Sequence, residues 1–379
     1  MVRAAEVTKI SIPYLIVERD EPIPLSRLRI SPHDLGIRGA ELAVKDNNTT
    51  GRFMKQAFSL DVVRVTSIEE AQAKLDGFIT KGAGIVLVDA TADELLTLAN
   101  SAKGKDALLI NLRAPDTRLR NEDCRANVLH VVPSRAMLAD ALAQYLIWKR
   151  WNKWFLVHGT LPGDEAFAVD LRRAAKKFGA KIVEERSYED LGGARRTDTG
   201  HTKVQKQMPV FTQGAPEHHV LVVADESQVF GPYLAYRTWT PRPIVGTSGL
   251  YATSWHPAHE QWGATQMQNR FQRLAGRLML PMDHHAWLGV RAIGEAATRS
   301  NSGDFKTMRD YLLGDKFAIA AFKGQKVSFR KWNRQLRQPV LLANMELPVT
   351  WSPQPGFLHR NAEVDSLGID EPESKCRLN

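Results

Sequence analysis

Polar and charged residues recur where short apolar runs of this 379-residue sequence end. Such side chains can bind a small polar ligand, because ligands of open α/β sheets lie beyond the carboxyl ends of the strands. In the first part of the chain the candidate ligand-binding residues are Tyr14, Asp89, Thr91, Asn111, Arg113 and Ser134. Further along they are Thr160, Asp225, Glu226, Thr247 and Ser248, with His158 and Gly159 beside Thr160.

Two of these positions allow more than one interpretation. Arg113 follows a strand, where it is either a clamp for a ligand carboxylate or a cation solvated at the rim. Asp225 and Glu226 either bind a ligand amine or metal, or cap the helix that follows them. Helices that begin at Thr91, Ser134 and Thr247 would add backbone N–H donors aimed at the same cleft.

The sequence carries no complete enzyme motif. Residues 246–249 (GTSG) miss the G-x-S-x-G nucleophile elbow by one position, and neither G-x-G-x-x-G nor a Walker A loop occurs. His259-Glu260 lacks the second histidine of a zinc-protease helix, and no carboxylate cluster has EF-hand spacing. We therefore expect a protein that is not an enzyme and holds neither cofactor nor metal. A hydrolase that uses Ser248 is the rival hypothesis.

Composition narrows the functional class further. The net charge of +9 is scattered, and no nucleic-acid-binding motif is recognisable, so we expect a small-molecule ligand and no nucleic acid. The two cysteines, Cys124 and Cys376, are either free and buried or form one disulfide, which export would favour. The first residues lack the basic and apolar segments of a signal peptide, so the chain is either cytoplasmic or begins after a removed signal.

Short apolar strands alternate with helices along the chain, and this alternation predicts parallel α/β sheets. The alternation of strands and helices restarts near Ser134, which indicates two Rossmann-like lobes joined by three crossovers. We expect lobe 1 to contain residues 1–132 and 249–323, and lobe 2 to contain residues 133–248 and 324–352. Residues 353–379 form a tail, and the late strands at 326–329 and 340–342 are predicted to pair as a hairpin.

Several stretches resemble the Leu/Ile/Val-type (type I) periplasmic binding proteins of ABC transporters. They are residues 36–47 (GIRGAELAVKDN), 110–119 (INLRAPDTRL) and 161–165 (LPGDE). The last lies where that family has an aromatic-glycine turn, although Pro162 replaces the aromatic residue. The resemblance implies a periplasmic monomer that binds a small ligand and docks on the membrane subunits of an ABC transporter.

Within that superfamily the chain is most similar to binding proteins that accompany PQQ-dependent alcohol oxidation. The matching stretches are residues 43–53 (AVKDNNTTGRF), 223–226 (VADE), 236–243 (YRTWTPRP), 262–271 (WGATQMQNRF) and 355–359 (PGFLH). The similarity implies a setting of methylotrophy or alcohol oxidation. Some relatives accompany lanthanide uptake genes, so a metal or metal-chelate ligand remains an alternative, as does a scaffold whose pocket is closed.

Overall fold

The first lobe is built on a five-stranded parallel sheet with strand order β2-β1-β3-β4-β5. The computed structural model describes residues 7–19, 30–189 and 204–378. The strands are β1 Thr8–Val17, β2 Gln56–Val65, β3 Ile85–Asp89, β4 Leu108–Asn111 and β5 Val128–His130. Every residue of β3, β4 and β5 is buried, as expected for parallel strands that are covered on both faces by helices.

The helices of this lobe cover both faces of the sheet. They are α1 Ile37–Met54, α2 Ile68–Thr80, α3 Ala92–Ser101, α8 Ala264–Ala275, α9 Pro281–Ser300 and α10 Phe305–Leu313. Ser67 and Thr91 cap α2 and α3 through their side-chain oxygens. Glycines let α1 approach α9 closely, since a Cβ at Gly294 would lie only 2.2 Å from the Asn47 side chain. Asn47 in turn donates to the Val290 carbonyl at 3.0 Å.

The second lobe has a four-stranded parallel sheet with strand order β7-β6-β8-β9. Its strands are β6 Lys153–Gly159, β7 Lys181–Tyr188, β8 Val220–Ala224 and β9 Ile244–Gly246. Its helices are α4 Arg135–Trp148, α5 Pro162–Phe178, α6 Val204–Thr212 and α7 Gly231–Leu234. The prediction of two parallel-sheet α/β lobes is therefore confirmed. Within the described ranges, no helix combines the length and apolarity that a membrane span requires.

Short antiparallel strands connect the lobes. They are β10 Tyr251–Thr253, β11 Ile319–Ala320, β12 Lys326–Phe329, β13 Leu336–Arg337, β14 Val340–Ala343 and β15 Pro348–Ser352. The predicted hairpin is wrong, because β12 pairs with β11 and β13 while β14 pairs with β10 and β15. The β12 and β13 residues pack in the core of lobe 1, whereas the β14 residues pack in the core of lobe 2.

This packing supports lobe boundaries later in the chain than those predicted. Strand β10 belongs with lobe 2 through its pairing with β14, while Trp255 lies in the core of lobe 1. The second crossing thus lies just after Thr253, and the third lies between Leu336 and Val340. Strands of two to four residues carry too little apolar alternation for their lobe to be recognised in the sequence.

The C-terminal tail is attached to both lobes. A disulfide joins Cys124, in the loop before β5, to Cys376. Asp365 is buried and accepts hydrogen bonds from Arg330 Nε at 2.8 Å and from Arg337 Nε. The Gly368 amide donates to Asp140 on α4 at 2.8 Å, and Lys177 on α5 donates to the Ser366 carbonyl. The tail therefore spans the junction between the lobes on the side of the crossings.

A buried lysine links two of the crossing segments. Lys323 is 2% exposed, and its Nζ donates to Gln338 Oε1 at 2.6 Å. Gln338 Nε2 donates in turn to the Val131 carbonyl at 2.7 Å. Burial lowers the pKa of Lys323 to about 7, because an ammonium group away from water is less stable than the neutral amine.

We expect the free energy of unfolding to rise with pH above about pH 7 through Lys323. In that range the unfolded chain, in which the lysine pKa is 10.5, binds a proton that the folded chain does not. The slope from this group should approach about 1.4 kcal/mol per pH unit. Urea unfolding between about pH 7 and pH 9 measures it. Lys323→Met should lose this rise, and an unchanged slope in the variant would contradict the assignment.

Candidate functional site

A pocket of about 700 Å³ opens at the carboxyl edge of the lobe 1 sheet. It lies where the strand-end rule places ligands in open α/β sheets. The charged and titratable side chains that line it are Glu18, Arg19, His33, Arg64, Asp89 and Arg113. Among these described side chains, three guanidinium groups face two carboxylates.

Asp89 is the electrostatic centre of this pocket. It ends β3 and is 2% exposed, and it accepts hydrogen bonds from two arginines. Arg113 forms a two-pronged contact through Nε and Nη2, the second at 3.0 Å, and Arg19 Nη2 donates to Asp89 Oδ1 at 3.0 Å. Burial alone would raise the pKa of Asp89, but the hydrogen bonds and charges of Arg113 and Arg19 outweigh it and lower that pKa. The carboxylate is therefore ionised, and both guanidinium groups share it.

Arg19 keeps an unused donor in this arrangement. Its Nη1 is buried and has no hydrogen-bond partner among the described residues. The neighbouring Arg64 is already paired, since its Nη1 donates to Glu18 Oε1 at 3.0 Å. A buried donor without an acceptor costs about 1–3 kcal/mol. An anionic group that accepts a hydrogen bond from Arg19 Nη1 would remove this cost.

The expectation that Tyr14 lies in the cleft is wrong. Strand β1 continues to Val17, so Tyr14 lies in the middle of the sheet, opposite Val62 and Leu87. Its side chain is fully buried in the core of lobe 1. Burial, with the nearby charge of Asp89, raises the pKa of Tyr14 well above its usual value. The residues that follow the actual strand end are Glu18 and Arg19.

Three other predicted residues of the first half are engaged in local structure. Thr91 and Ser134 accept hydrogen bonds from the backbone amides of Glu94 and Met137 and so cap α3 and α4. Asn111 is 1% exposed, and its Oδ1 accepts from the amides of Arg113 and Ala114. Asn111 therefore shapes the turn that carries Arg113 toward Asp89, and its side chain faces the protein rather than the pocket.

Asp225 in lobe 2 is a capping residue. It is fully buried, and its carboxylate accepts from the amides of Val229, Phe230 and Gly231 at 2.6–2.9 Å. Thr247 Oγ1 accepts from the Asp225 amide at 2.9 Å and so fixes the turn after β8. Of the two interpretations of Asp225, the structure favours the cap, which leaves no free carboxylate oxygen for a ligand.

The remaining predicted residues of lobe 2 differ in their surroundings. Thr160 is exposed after β6, whereas Ser248 is 7% exposed and lies against Gly231, where an added Cβ would approach its Oγ to 2.6 Å. Among the described residues Ser248 does not have the positive φ of a strained turn, although a nucleophile elbow places its serine on such a turn. Glu226 is half-buried and accepts from Arg135 Nε and Nη2 at 2.9 and 2.8 Å.

Arg135 connects the two lobes at the base of the cleft. It begins α4, and its Nη1 lies 3.1 Å from Asp116 Oδ1 in the loop after β4, opposite its contact with Glu226. Nearby, Thr117 Oγ1 donates to Asp170 Oδ2 of α5 at 2.6 Å. Burial lowers the pKa of Arg135, but its pairing with Glu226 and Asp116 outweighs this and raises it. These contacts join the loop after β4 in lobe 1 to α4 and α5 of lobe 2.

Sequence reasoning missed Arg19, Arg64 and Arg135. Arg19 was missed because Tyr14 was taken as the residue at the strand end, whereas β1 continues to Val17. Arg64 lies inside β2, and Arg135 has partners 19 residues before it and 91 residues after it. The extension of the apolar run through Val17 was the one signal in the sequence that could have identified Arg19. Among the described residues, no group of three or more His, Cys, Asp or Glu side chains could hold a metal ion.

Comparisons with known proteins agree with this architecture. Residues 36–198 match the family model described as periplasmic binding protein, while no curated protein matches the chain. A branched-chain amino acid ABC transporter ligand-binding protein from Burkholderia xenovorans is 13% identical with a TM-score of 0.74, and the alignment covers 97% of this chain and 99% of that one. A leucine-, isoleucine-, valine-, threonine- and alanine-binding protein from Brucella ovis is 14% identical with a TM-score of 0.69, over 99% and 100% of the two chains.

A third solved structure contains an aromatic acid. It is an ABC transporter solute-binding protein from Rhodopseudomonas palustris in complex with 3,4-dihydroxy benzoic acid, 11% identical with a TM-score of 0.63, over 89% of this chain and 93% of that one. At these identities the likeness establishes the fold. The chain therefore has the fold of type I periplasmic binding proteins, and its residues 36–198 match that family in sequence.

Proposed function

We propose that this protein is the periplasmic solute-binding component of an ABC transporter and that its ligand is a small organic anion. The observation that carries the proposal is Arg19: its buried Nη1 donor has no acceptor among the residues that the structure describes, beside a carboxylate already shared with Arg113. A ligand carboxylate at this point would accept that hydrogen bond. The pocket volume of about 700 Å³ suits a small molecule.

The three chain crossings between the lobes support a mechanism in which the lobes close over the ligand. The lobe 1 pocket would bind the anion first, and rotation about the three crossings would then bring the lobe 2 strand ends, with Thr160 and Ser248, over it. The membrane subunits of the transporter would recognise the closed form. This order makes the arginine pocket of lobe 1 the main determinant of affinity.

The ligand class is narrowed further by the sequence resemblance. Stretches that include residues 43–53 and 236–243 are similar to binding proteins associated with PQQ-dependent alcohol oxidation. We infer a ligand from that chemistry, such as an aromatic acid, a carboxylate product of alcohol oxidation, or a relative of the quinone cofactor. The aromatic acid in the Rhodopseudomonas palustris protein and the amino-acid ligands of other fold relatives also carry carboxylates.

A thermal-shift screen tests the ligand class. It should include pyrroloquinoline quinone, aromatic and short carboxylic acids, amino acids, neutral alcohols and lanthanide salts. A ligand at about 100 times its Kd adds roughly 2.7 kcal/mol of stability. We expect stabilisation by carboxylates and none by the neutral alcohols. Stabilisation by neutral compounds alone would overturn the proposal of an anionic ligand.

We expect Arg19→Gln to lower the affinity for the tightest-binding carboxylate of that screen by about ten- to a hundredfold. The reason is that a hydrogen bond to a charged group contributes about 1.5–3 kcal/mol. Isothermal titration calorimetry measures the change. The matched control is Arg52→Gln, the same substitution at an exposed arginine of α1 outside the pocket. Equal affinity in wild type and Arg19→Gln would remove Arg19 from the site.

The alternatives predict different observations. A lanthanide carrier would need several oxygen ligands that converge, and the described residues contain no such group, so a lanthanide response in the screen would require ligands outside them. A scaffold with a closed pocket would have the tail or the segment from Glu189 to Pro216 in the cleft. Residues 190–203 of that segment lie outside the described residues, and α6 forms part of the remainder. The tail instead packs on α4, α5 and the crossing strands, and Met208 of α6 packs in the core of lobe 2.

A further inference from the structure

A second cavity lies on lobe 1, away from the strand ends. It has a volume of about 640 Å³ and is formed by the C-terminal half of α1 together with α8, α9 and the β11–β12 segment. Its charged lining residues are Asp46, Arg270, Arg291, Glu295, Arg299 and Lys326. No lining residue is shared with the pocket that contains Arg19. The two cavities are therefore separate sites.

The lining of this cavity is cationic. Four of the six charged side chains are basic and two are acidic, which leaves a net charge of +2. Asp46 pairs with Arg270, and Glu295 accepts from Arg299 Nε at 2.8 Å. Both carboxylates are thus already engaged by an arginine. In the described part of the chain, neither Arg291 nor Lys326 forms an ion pair, so these two cations carry the surplus.

Arg291 is held in place by a neutral group. Its Nη1 donates to Asn47 Oδ1, and Asn47 is buried between α1 and α9 in the space that Gly294 leaves free. Burial lowers the pKa of Arg291, and the charge of Arg270 adds to this shift, while the charge of Glu295 opposes it only in part. A guanidinium fixed in this way is pre-organised for an anion.

The rest of the lining can complete such a site. Thr50 is an exposed hydroxyl at one side, next to Thr49, whose hydroxyl donates to the Lys45 carbonyl at 3.1 Å, and Lys326 is an exposed ammonium on β12. Trp287 forms part of the wall, packed against Phe322 at 5.5 Å between ring centres, and its Nε1 donates to Asp46. The cavity thus combines a guanidinium held by Asn47, an exposed ammonium and an exposed hydroxyl beside an aromatic wall.

We propose that this cavity binds a small polyanion with two or more phosphate or carboxylate groups, held by Arg291 and Lys326. The site is independent of the transported ligand, because it lies on the helices of lobe 1 and not at the strand ends. Its occupant contacts α1, α9 and β12 together, and therefore ties the helical layer of lobe 1 to the segment that leads to the third crossing.

Site-specific acetylation tests the proposal. Lys326 is exposed, so acetic anhydride should label it, and peptide mass spectrometry reports its labelling rate. Pyrophosphate at ten times its Kd should slow that rate by about tenfold, from simple occupancy. Citrate tests the carboxylate class in a parallel experiment. Lys306, exposed on α10 and outside both cavities, is the internal control and should label at the same rate throughout.

Two variants make the result decisive. Arg291→Gln should abolish the protection of Lys326, while Arg309→Gln, the same change on α10 outside the cavity, should retain it. Lys326→Gln, at an exposed position where folding is not affected, should weaken pyrophosphate or citrate binding at least severalfold by calorimetry. Protection of Lys326 by pyrophosphate or by citrate supports the proposal and shows whether the site takes a phosphate or a carboxylate ligand. Protection by neither, equal protection of Lys306, or protection that persists in Arg291→Gln would overturn it.

Discussion

Asp365→Asn is expected to lower the free energy of unfolding by about 3–5 kcal/mol, because it leaves a buried guanidinium without its counter-charge. Arg330 and Asp365 are 1% and 0% exposed in their side chains. Burial lowers the pKa of Arg330 even with Asp365 present. An uncompensated charge at this position is therefore strongly destabilising. The substitution keeps the shape of the side chain and removes only the charge.

Urea unfolding, followed by tryptophan fluorescence, measures the effect of Asp365→Asn. The matched control is Asp315→Asn, which breaks the exposed pair with Lys331 and should cost at most about 1 kcal/mol. The double variant Arg330→Met/Asp365→Leu should regain part of the loss, since it removes the fully buried guanidinium, while Arg337, which also pairs with Asp365, is 22% exposed. A loss in Asp365→Asn no larger than in the control would mean that water reaches Arg330.

Cys124→Ala/Cys376→Ala is expected to lower the free energy of unfolding by about 2–5 kcal/mol. The two cysteines are 252 residues apart, and in the chain-entropy description a long closed loop restricts the unfolded state most. Both are buried, so alanine avoids placing a serine hydroxyl without a partner there. Urea unfolding with and without dithiothreitol measures the change.

Reduction supplies the control for the disulfide prediction. The wild type in dithiothreitol should match the double alanine variant, and the variant itself should not respond to the reductant. If the wild type keeps its full stability after complete reduction, checked by thiol alkylation, the noncovalent contacts of the tail are sufficient to hold it.

The lobes could be predicted because their strands and helices are long enough to carry a pattern. The buried run of β3 and the capping residues Ser67 and Thr91 each define one boundary. The crossings could not be placed as well, since β10 to β13 have only two to four residues and their partners are distant in the chain.

The candidate site was predicted only in part, for a related reason. Arg113 and Asp89 do meet at the edge of the sheet, as the strand-end rule requires. A sequence does not show which polar residue a neighbour has already engaged, so Asp225 and Asn111 were placed with the ligand although the backbone uses them. Arg19 became visible only when the true end of β1 was known.

The disulfide also gives the molecule a covalent topology. The backbone from Cys124 to Cys376, closed by the sulfur–sulfur bond, is a ring that contains both excursions of the chain through lobe 2 and its return through lobe 1. A protease that cuts one peptide bond anywhere inside this ring leaves two fragments that remain joined. In electrophoresis without reductant, such a nicked molecule would migrate like the intact chain, and reduction would separate its two fragments. The disulfide would still hold the tail and the crossing segments together.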